Sequence, residues 1–233
     1  MSISKRSHRR SLTAGLLRFA ARAAVVALAA AVLLVGVLRF VDPPLTYLMA
    51  REWWRLGSIE HPWIAIEAAS ESLPLAAAAA EDANFCRHRG FDVAGIRDAL
   101  ADGDRLRGGS SISQQVAKNV FLWPGRSWLR KGLEAGFTVL IEAIWGKRRI
   151  MEVYLNVAET GEGIFGVEAA AQHYWGVPAS DLGPQRSARL MAVLPDPRGR
   201  SPTSGSGYIA RRGAAIERGA ATIRVDGRAA CFL

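Results

Sequence analysis

An uncharged apolar stretch near the N-terminus constrains this chain more than any other feature. Residues 23–38 (AAVVALAAAVLLVGVL) contain no charged side chain, and Arg22 and Arg39 flank them. A helix of this length covers about 24 Å, slightly less than the hydrocarbon core of a bilayer. Because both arginines can extend toward the headgroups, a helix over 19–41 would cross the membrane. The pattern therefore predicts a single transmembrane helix.

The basic residues before this stretch predict its orientation. Lysine and arginine are concentrated in 1–18, and segments rich in these residues stay on the cytoplasmic side of a membrane. We therefore expect 1–18 to be cytoplasmic, 19–41 to be the anchor, and the chain after about residue 41 to lie outside. A cleaved signal peptide is the alternative, but the apolar stretch is long for one and no convincing cleavage site follows it.

The net charge of +9 does not by itself indicate nucleic-acid binding. Six basic residues and no acidic ones lie in 1–22, and the chain after residue 22 carries only +3: the six are Lys5, Arg6, Arg9, Arg10, Arg18 and Arg22. Because the excess charge is mostly N-terminal, we expect no nucleic-acid partner.

A membrane-proximal linker is predicted at 42–61. Asp42-Pro43-Pro44 should end the first helix, because proline cannot continue it. Tryptophans then alternate with basic residues, in a pattern typical of the membrane–water interface: Arg51, Trp53, Trp54, Arg55 and Trp63. Packing of these tryptophans on the folded domain would explain the pattern equally well, and the sequence leaves both interpretations open.

The pattern after residue 62 is helical almost throughout. Apolar spacing, caps and prolines predict a helix that begins near Pro74, a helix that ends near Trp175, and helices at about 92–100, 112–121, 128–145, 147–156 and 185–194. In the helix at 128–145 the predicted buried stripe is Leu129, Leu133, Phe137, Leu140, Ile141 and Ile144. No strand pattern is persuasive, and 161–166 is expected to be a glycine-rich loop. We assign 204–233 to a C-terminal tail with at most one weak helix.

Two adjacent carboxylates, Glu81 and Asp82, are the first candidates for chemistry. An apolar run, 75–80, leads directly into them, and His88 and Gly90 follow closely. Apolar surroundings raise the pKa of a carboxyl group, as a general acid or base near neutral pH requires. A helix that simply ends in polar residues is the alternative.

A phosphate site is indicated after the glycine- and serine-rich turn at 107–111. The helix that this turn opens would offer free backbone N–H groups to an anion. Three of the four lysines, Lys118, Lys131 and Lys147, fall in one region, and Arg126 lies among them. Because lysine is a common phosphate ligand, we interpret the cluster as a diphosphate site, with solvated helix faces as the alternative.

Glu134 is a candidate for a second carboxylate in the same site. In glycosyl chemistry one carboxylate can deprotonate the attacking hydroxyl while another manages the leaving group. Glu134 could equally be a surface partner of Arg130 or Lys131 on its own helix. The sequence does not show whether Glu81 and Glu134 meet in space.

Histidine and cysteine spacing indicates no metal centre. His88 and His173 stand apart without metal-ligand spacing, and we interpret them as structural. The two cysteines, Cys86 and Cys231, form no metal motif, and the sequence leaves open whether they pair.

Five short motifs follow one another between residues 81 and 194. They are Glu81-Asp82-x-x-Phe85-x-x-His88-x-Gly90, Gly108-Gly109-Ser110-Ser111-x-x-Gln114-Gln115-x-x-Lys118-Asn119, Arg130-Lys131-x-x-Glu134-Ala135, Lys147-x-x-Ile150-x-Glu152-x-Tyr154-Leu155-Asn156 and Arg189-x-x-x-Val193-Leu194. In this order and spacing they resemble the monofunctional biosynthetic peptidoglycan transglycosylases, a family that shares its catalytic domain with class A penicillin-binding proteins. Ser111 stands where threonine is usual, and the fifth motif is less specific. The resemblance covers roughly 45–203.

The resemblance implies a mainly α, lysozyme-like transglycosylase domain, which we expect at 62–203 after the single transmembrane helix. It implies lipid II as the substrate, which is polymerised into β-1,4-linked glycan strands with inversion and release of undecaprenyl diphosphate. The implied location is the bacterial inner membrane, with the catalytic domain in the periplasm. Other cell-wall synthesis or division proteins are further candidate partners.

Residue roles also follow from the resemblance. Glu81 would be the general base that deprotonates the acceptor's 4-hydroxyl. Glu134 would help the diphosphate to leave, directly or through a divalent metal such as Mg²⁺ or Mn²⁺, and no other cofactor is expected. Lys118 and Arg126 match donor-phosphate positions, and the remaining substrate-binding candidates are Ser110, Gln114, Gln115, Lys131, Arg97 and Asp82.

Two other functions share parts of this pattern. A lytic glycosidase on the same scaffold needs a catalytic glutamate but no cationic site between residues 110 and 131. A non-catalytic membrane scaffold that recruits cell-wall enzymes needs neither carboxylate. A bifunctional enzyme is not expected, because the residues after Ser201 contain no Ser-x-x-Lys motif.

Overall fold

Two compact units, Met1–Val41 and Asp42–Leu233, make up the chain in a computed structural model that describes residues 4–93, 110–125 and 127–233. The first unit contains one helix, α1 (Ser4–Leu38). Within the described residues, its section Gly15–Leu38 is the one helix long and apolar enough to cross a membrane. This section overlaps the predicted span 19–41, and the helix ends before the two prolines as expected.

The second unit is mainly helical, which confirms the predicted fold class. In chain order its elements are α2 (Tyr47–Leu56), α3 (Ser72–Glu81), a 3₁₀ turn (Phe85–Arg87), α4 (Ile112–Phe121), α5 (Trp128–Ile144), α6 (Lys147–Val157), β1 (Glu159–Gly161), β2 (Ile164–Phe165), α7 (Gly166–Trp175), a second 3₁₀ turn (Ala179–Asp181), α8 (Pro184–Val193) and α9 (Gly207–Val225). Helices α4, α5, α6 and α8 have the predicted bounds to within one residue. The helix predicted at 92–100 lies almost entirely outside the described residues.

Helix α3 forms the centre of the core and ends at Glu81. Its residues from Leu73 to Ala78 are all buried. Helices α8 and α9 pack against it, and small residues allow a close approach, since a Cβ on Gly219 of α9 would lie 3.3 Å from the Cβ of Ala79. A buried apolar helix that ends in a carboxylate brings that carboxylate to the edge of the core.

A short hairpin lies where the sequence predicted a loop. Strands β1 and β2 are antiparallel, with Glu159 opposite Phe165 and Gly161 opposite Ile164. Strands of two or three residues are too short to show an alternating pattern, so the prediction missed them. Gly166, where α7 begins, has φ = +83°, and a Cβ there would lie 2.7 Å from the carbonyl oxygen of Asn156. Glycine is therefore required at this junction.

The buried face of α5 differs from the apolar stripe that the sequence predicted. Leu129 and Leu133 of that stripe are 71% and 38% exposed. Ile141 of the stripe is buried as predicted, but the other buried residues of the helix are Glu134 and Thr138. The prediction assumed that the most apolar face turns inward, but the inward face of this helix carries a polar residue of the candidate site.

The predicted linker contains helix α2, and a buried glutamate fixes this helix to the domain. Glu52 is fully buried, and its carboxylate contacts Arg55 (2.7 Å), Arg198 (2.9 Å) and Arg51 (3.1 Å). Burial raises the pKa of Glu52, but the three guanidinium groups outweigh this effect and hold the pKa below its usual value. Arg198 also pairs with Glu159 of β1 (2.9 Å), so the network connects α2 to the hairpin.

The tryptophans of this region divide between the two interpretations that the sequence left open. Trp54 is 93% exposed and Trp53 is also exposed, as residues at a membrane surface would be. Trp63 instead packs within the domain, where the guanidinium carbon of Arg149 lies 5.4 Å from its ring centroid.

The C-terminal segment is joined covalently to the turn that follows Glu81. Cys86 and Cys231 form a disulfide across 145 positions, a pairing that the sequence left open. Phe232 is buried beside Phe85, with ring centroids 6.0 Å apart. The segment assigned to a tail also contains the 19-residue helix α9, where the sequence predicted at most a weak helix. Both features pack this segment into the second unit.

Removing the disulfide should destabilise the domain. We expect Cys86→Ser combined with Cys231→Ser to lower the free energy of unfolding by about 2–4 kcal/mol, because a cross-link over so long a loop restricts the unfolded chain. Denaturant unfolding of the full chain in detergent, followed by tryptophan fluorescence, measures the difference. Reductant should lower the stability of the wild type to that of the double variant. A wild type that is insensitive to reductant would contradict the pairing.

Candidate active site

Glu81 lies at the end of α3, at the edge of the core. Its side chain is 14% exposed, and Gln115 of α4 donates a hydrogen bond from Nε2 to its Oε2 atom (2.9 Å). On the other side, Nη2 of Arg212 in α9 lies 3.7 Å from Oε1. Burial raises the pKa of Glu81, whereas the hydrogen bond from Gln115 and the charges of Arg212 and Lys118 lower it. A carboxylate with a raised pKa can accept a proton near neutral pH, as a general base must.

Asp82, the next residue, is engaged inside the protein. Its side chain is 2% exposed. It accepts hydrogen bonds from Nε2 of His88 (2.9 Å) and from the backbone N–H of Ile112 (3.1 Å), the first residue of α4. One carboxylate thus joins the end of α3, the turn after it and the start of α4. We predicted that Asp82 binds substrate, but these contacts favour a positioning role because its oxygens are already used.

The N-terminus of α4 is capped from within the protein. Ser111 Oγ accepts a hydrogen bond from the N–H of Gln114 (3.2 Å), and Gln114 Oε1 accepts one from the N–H of Ser111 (3.1 Å). This capping box, together with Asp82 on the N–H of Ile112, occupies three backbone donors of the helix start. The prediction that the helix start offers free N–H groups to an anion is therefore wrong for these three groups, because neighbouring side chains satisfy them. Gln114, a predicted substrate-binding residue, is used in this cap.

Gln115 connects α4 to the first carboxylate and to the turn before the helix. Its Nε2 atom donates to Glu81 and also lies 3.5 Å from the carbonyl oxygen of Ser110. Gln115 and Ser110 were both predicted to bind substrate. The structure gives Gln115 a contact that orients Glu81, and it leaves Ser110 partly exposed beside it.

Glu134 is buried on α5 among positive charges. Lys131 pairs with its Oε1 atom, and Nη1 of Arg130 lies 3.6 Å from its Oε2 atom. The ion pairs expected for a surface glutamate do form, but the carboxylate itself is buried. A buried carboxylate needs such partners to remain charged. A negative charge and two positive charges therefore lie together on the inward face of α5.

Lys118 of α4 lies within electrostatic reach of both carboxylates. Burial lowers the pKa of its ammonium group, while the charges of Glu134 and Glu81 raise it. Arg130 and Lys131 act in the opposite direction and add positive charge nearby. Lys118 of α4 therefore interacts electrostatically with both carboxylates and with the two cations of α5.

A second network holds α4, α5 and α6 together next to this site. Glu142 of α5 accepts hydrogen bonds from Ser113 of α4 and from Lys147 of α6, the latter at 2.6 Å. The ammonium of Lys147 also lies 4.3 Å from the ring centroid of Phe85. Lys147 belonged to the lysine cluster that we assigned to a diphosphate, but these contacts give it a structural role.

Three arginines show where the predictions of site residues are incomplete. Arg97 and Arg126, both predicted to bind substrate, lie outside the described residues. Arg212 contacts Glu81 but was not predicted, because its segment was assigned to a tail. A signal was present in the sequence, since the buried face of α9 has helical spacing: Ile209, Gly213, Ile216 and Ile223.

Comparison with known proteins identifies the family. The family model described as Transglycosylase matches residues 51–220. A biosynthetic peptidoglycan transglycosylase from Jannaschia sp. (strain CCS1) is 53% identical over 192 residues, which are 82% of this chain and 80% of the relative. Proteins of the same name from Rhodospirillum centenum and Caulobacter vibrioides are 51% and 49% identical, over 93% and 89% of this chain and 96% and 92% of the relatives. The chain therefore belongs to the peptidoglycan transglycosylase family.

Proposed function

We propose that Glu81 is the general base in the polymerisation of lipid II, the cell-wall reaction of this family. Lipid II as substrate and inversion at the anomeric carbon follow from family membership. The observation that supports Glu81 is its environment. Its pKa is raised by burial, it keeps partial access to solvent, and Gln115 orients it through a 2.9 Å hydrogen bond.

The proposed reaction couples one bond that forms to one that breaks. Glu81 takes the proton of the acceptor's 4-hydroxyl while that oxygen attacks the anomeric carbon of the lipid-linked donor. The bond between this carbon and the diphosphate oxygen breaks, and its electron pair leaves with undecaprenyl diphosphate. Direct displacement converts the α-linked diphosphate into a β-1,4 glycosidic bond, which is an inversion.

The cations around Glu134 are suited to the departing diphosphate. Lys118, Lys131 and Arg130 carry the positive charge there. Positive charge that is positioned in advance where negative charge develops is usually a large contribution to catalysis. We assign the donor's diphosphate to this cluster, with Glu134 holding two of its cations in place. Arg126, Arg97 and Ser110 remain candidates for the same subsite.

In the described residues, the charged cluster around Glu134 contains no ready-made site for a divalent metal. Across residues 4–93, 110–125 and 127–233, no group of three or more His, Cys, Asp or Glu side chains could hold a metal ion. Glu134 is a single carboxylate that already pairs with two cations. Mg²⁺ or Mn²⁺ would need diphosphate oxygens and water to complete its ligands. A metal carried in by the diphosphate is compatible with these residues, and no step proposed above passes through one.

The candidate anchor suits a substrate that itself stays in the bilayer. Holding the enzyme and lipid II on one surface raises their effective concentration. The disulfide supports a periplasmic location for the second unit, because disulfides form and persist in oxidising compartments. We infer an inner-membrane protein with residues 1–18 in the cytoplasm, lipid II and the growing glycan strand as partners, and other cell-wall synthesis or division proteins as further candidates.

Glu81→Gln should abolish polymerisation without unfolding the protein. Glutamine has nearly the same shape but cannot accept the proton, so kcat/KM for lipid II should fall at least about a hundredfold. Formation of glycan strands from purified lipid II measures the effect. Glu71→Gln is a matched control, because Glu71 lies exposed at the other end of α3, and it should keep wild-type activity. Near-normal polymerisation by Glu81→Gln would reject the base assignment.

Lys118→Ala should weaken engagement of the donor. A hydrogen bond to a charged group contributes about 1.5–3 kcal/mol, so we expect kcat/KM to fall about ten- to a hundredfold. Lys118→Arg keeps the charge and should retain more activity than the alanine variant. Steady-state kinetics with lipid II measure both variants. Unchanged kinetics in Lys118→Ala would show that the diphosphate binds elsewhere.

The proposed orientation predicts the behaviour of reporter fusions. Alkaline phosphatase, which becomes active only in the periplasm, should be active when fused after Leu233. The same reporter should be inactive when it replaces everything after residue 18, because the basic N-terminus stays in the cytoplasm. Enzyme activity in intact cells measures both fusions, and the opposite pattern would reverse the orientation.

A further inference from the structure

Arg212 of α9 is a charged group at the site that the reaction proposed above leaves without a role. Its Nη2 atom lies 3.7 Å from Oε1 of Glu81, which is close enough for a strong charge interaction but too long for a hydrogen bond. Its Nε atom is buried and has no hydrogen-bond partner in the part of the chain that the structure describes. The guanidinium is thus held beside Glu81 without forming a closed, bidentate ion pair.

The packing of α9 sets the position of Arg212. The next residue, Gly213, lies against Arg189 of α8, and a Cβ at Gly213 would come within 3.2 Å of Cγ of Arg189. Arg189 donates hydrogen bonds to the carbonyl oxygens of Pro202 and Ser204 (both 2.6 Å), which fixes the chain before α9. Helix α9 also packs on α3. Helix α9, which carries Arg212, and helix α3, which carries Glu81, are therefore fixed relative to each other.

Charged and titratable groups face Glu81 from four elements. Asp82 follows it in the chain and adds negative charge, whereas Lys118 of α4 and Arg212 of α9 add positive charge. Tyr154 of α6 is a buried phenol whose pKa is raised well above its usual value by burial, so it stays neutral. Burial and Asp82 both favour protonated Glu81. Of the two opposing cations, Lys118 is the one that we assign to the diphosphate.

We propose that Arg212 is a positioning residue that keeps Glu81 ionised and directed toward the acceptor, while Lys118 serves the diphosphate. This inference rests on the proposed role of Glu81 as the base. Arginine stays protonated at every accessible pH, so its charge is present throughout the reaction cycle. When Glu81 has taken the proton of the 4-hydroxyl, Arg212 favours release of that proton to solvent, which regenerates the carboxylate for the next transfer.

Arg212→Met removes the charge and keeps much of the apolar volume of the side chain. We expect the acidic limb of the kcat/KM profile to move up by about one pH unit, because loss of a nearby opposite charge raises the pKa of a carboxyl group. On this limb the rate should fall about tenfold at a given pH, and it should recover at alkaline pH. Arg212→Lys should keep the limb near its wild-type position. Arg218→Met, on the exposed side of α9, is the matched control and should not shift it.

The pH–rate profile of the full-length protein with lipid II in detergent separates the outcomes. An unshifted limb in Arg212→Met, or a loss of equal size at every pH, would overturn the proposal, the second by indicating a structural or substrate-binding role. Arg212→Gln carries the same prediction and replaces the methionine variant should the latter melt at a lower temperature. If Glu81 is not the base, Glu81→Gln remains active, and this result distinguishes failure of the base assignment from failure of the role proposed for Arg212.

Discussion

One buried carboxylate, that of Asp82, holds the active-site end of this domain together. It joins the end of α3, His88 in the following turn and the first amide of α4, thirty positions further along the chain. The residues that we assign to the chemistry adjoin this joint, since Glu81 precedes Asp82 and Gln115 lies in the first turn of α4. Because a buried carboxylate that loses its partners is strongly unfavourable, the geometry of the base and the start of α4 depend on the same interaction.

In the described part of the site, side chains supply the positive charge. The start of α4 uses its donors for Asp82, Ser111 and Gln114, so this part of the anion-binding capacity of the helix serves the fold. Lys118 and Lys131 supply the charge from long side chains on two helices. Such side chains can follow a diphosphate as it moves away from the sugar, whereas helix amides are fixed in direction. A site that must bind a leaving group and then release it gains from this difference.

The sequence predicted the features that depend on local pattern and missed those that depend on tertiary contacts. Helix bounds follow from spacing, and the candidates Glu81, Glu134 and Lys118 follow from the motifs. In the structure Lys118 interacts electrostatically with both carboxylates. The occupied amides of α4 could not be foreseen, because the acceptor on Ile112 comes from a residue thirty positions away. The outward turn of Leu129 and the contribution of Arg212 were missed for the same reason, since only packing decides which face of α5 is inward and where α9 lies.

The disulfide between Cys86 and Cys231 gives the assembly of this domain a temporal order. The bond encloses 145 positions, so it can close only after α9 and the residues behind it have been synthesised and have reached an oxidising compartment. Phe232, which packs beside Phe85, is likewise among the last residues to be made. The turn that carries His88 is thus fastened by parts of the chain that are made late. With the orientation proposed above, a chain whose export is interrupted would lack this closure, and maturation of the enzyme would be coupled to its delivery across the membrane.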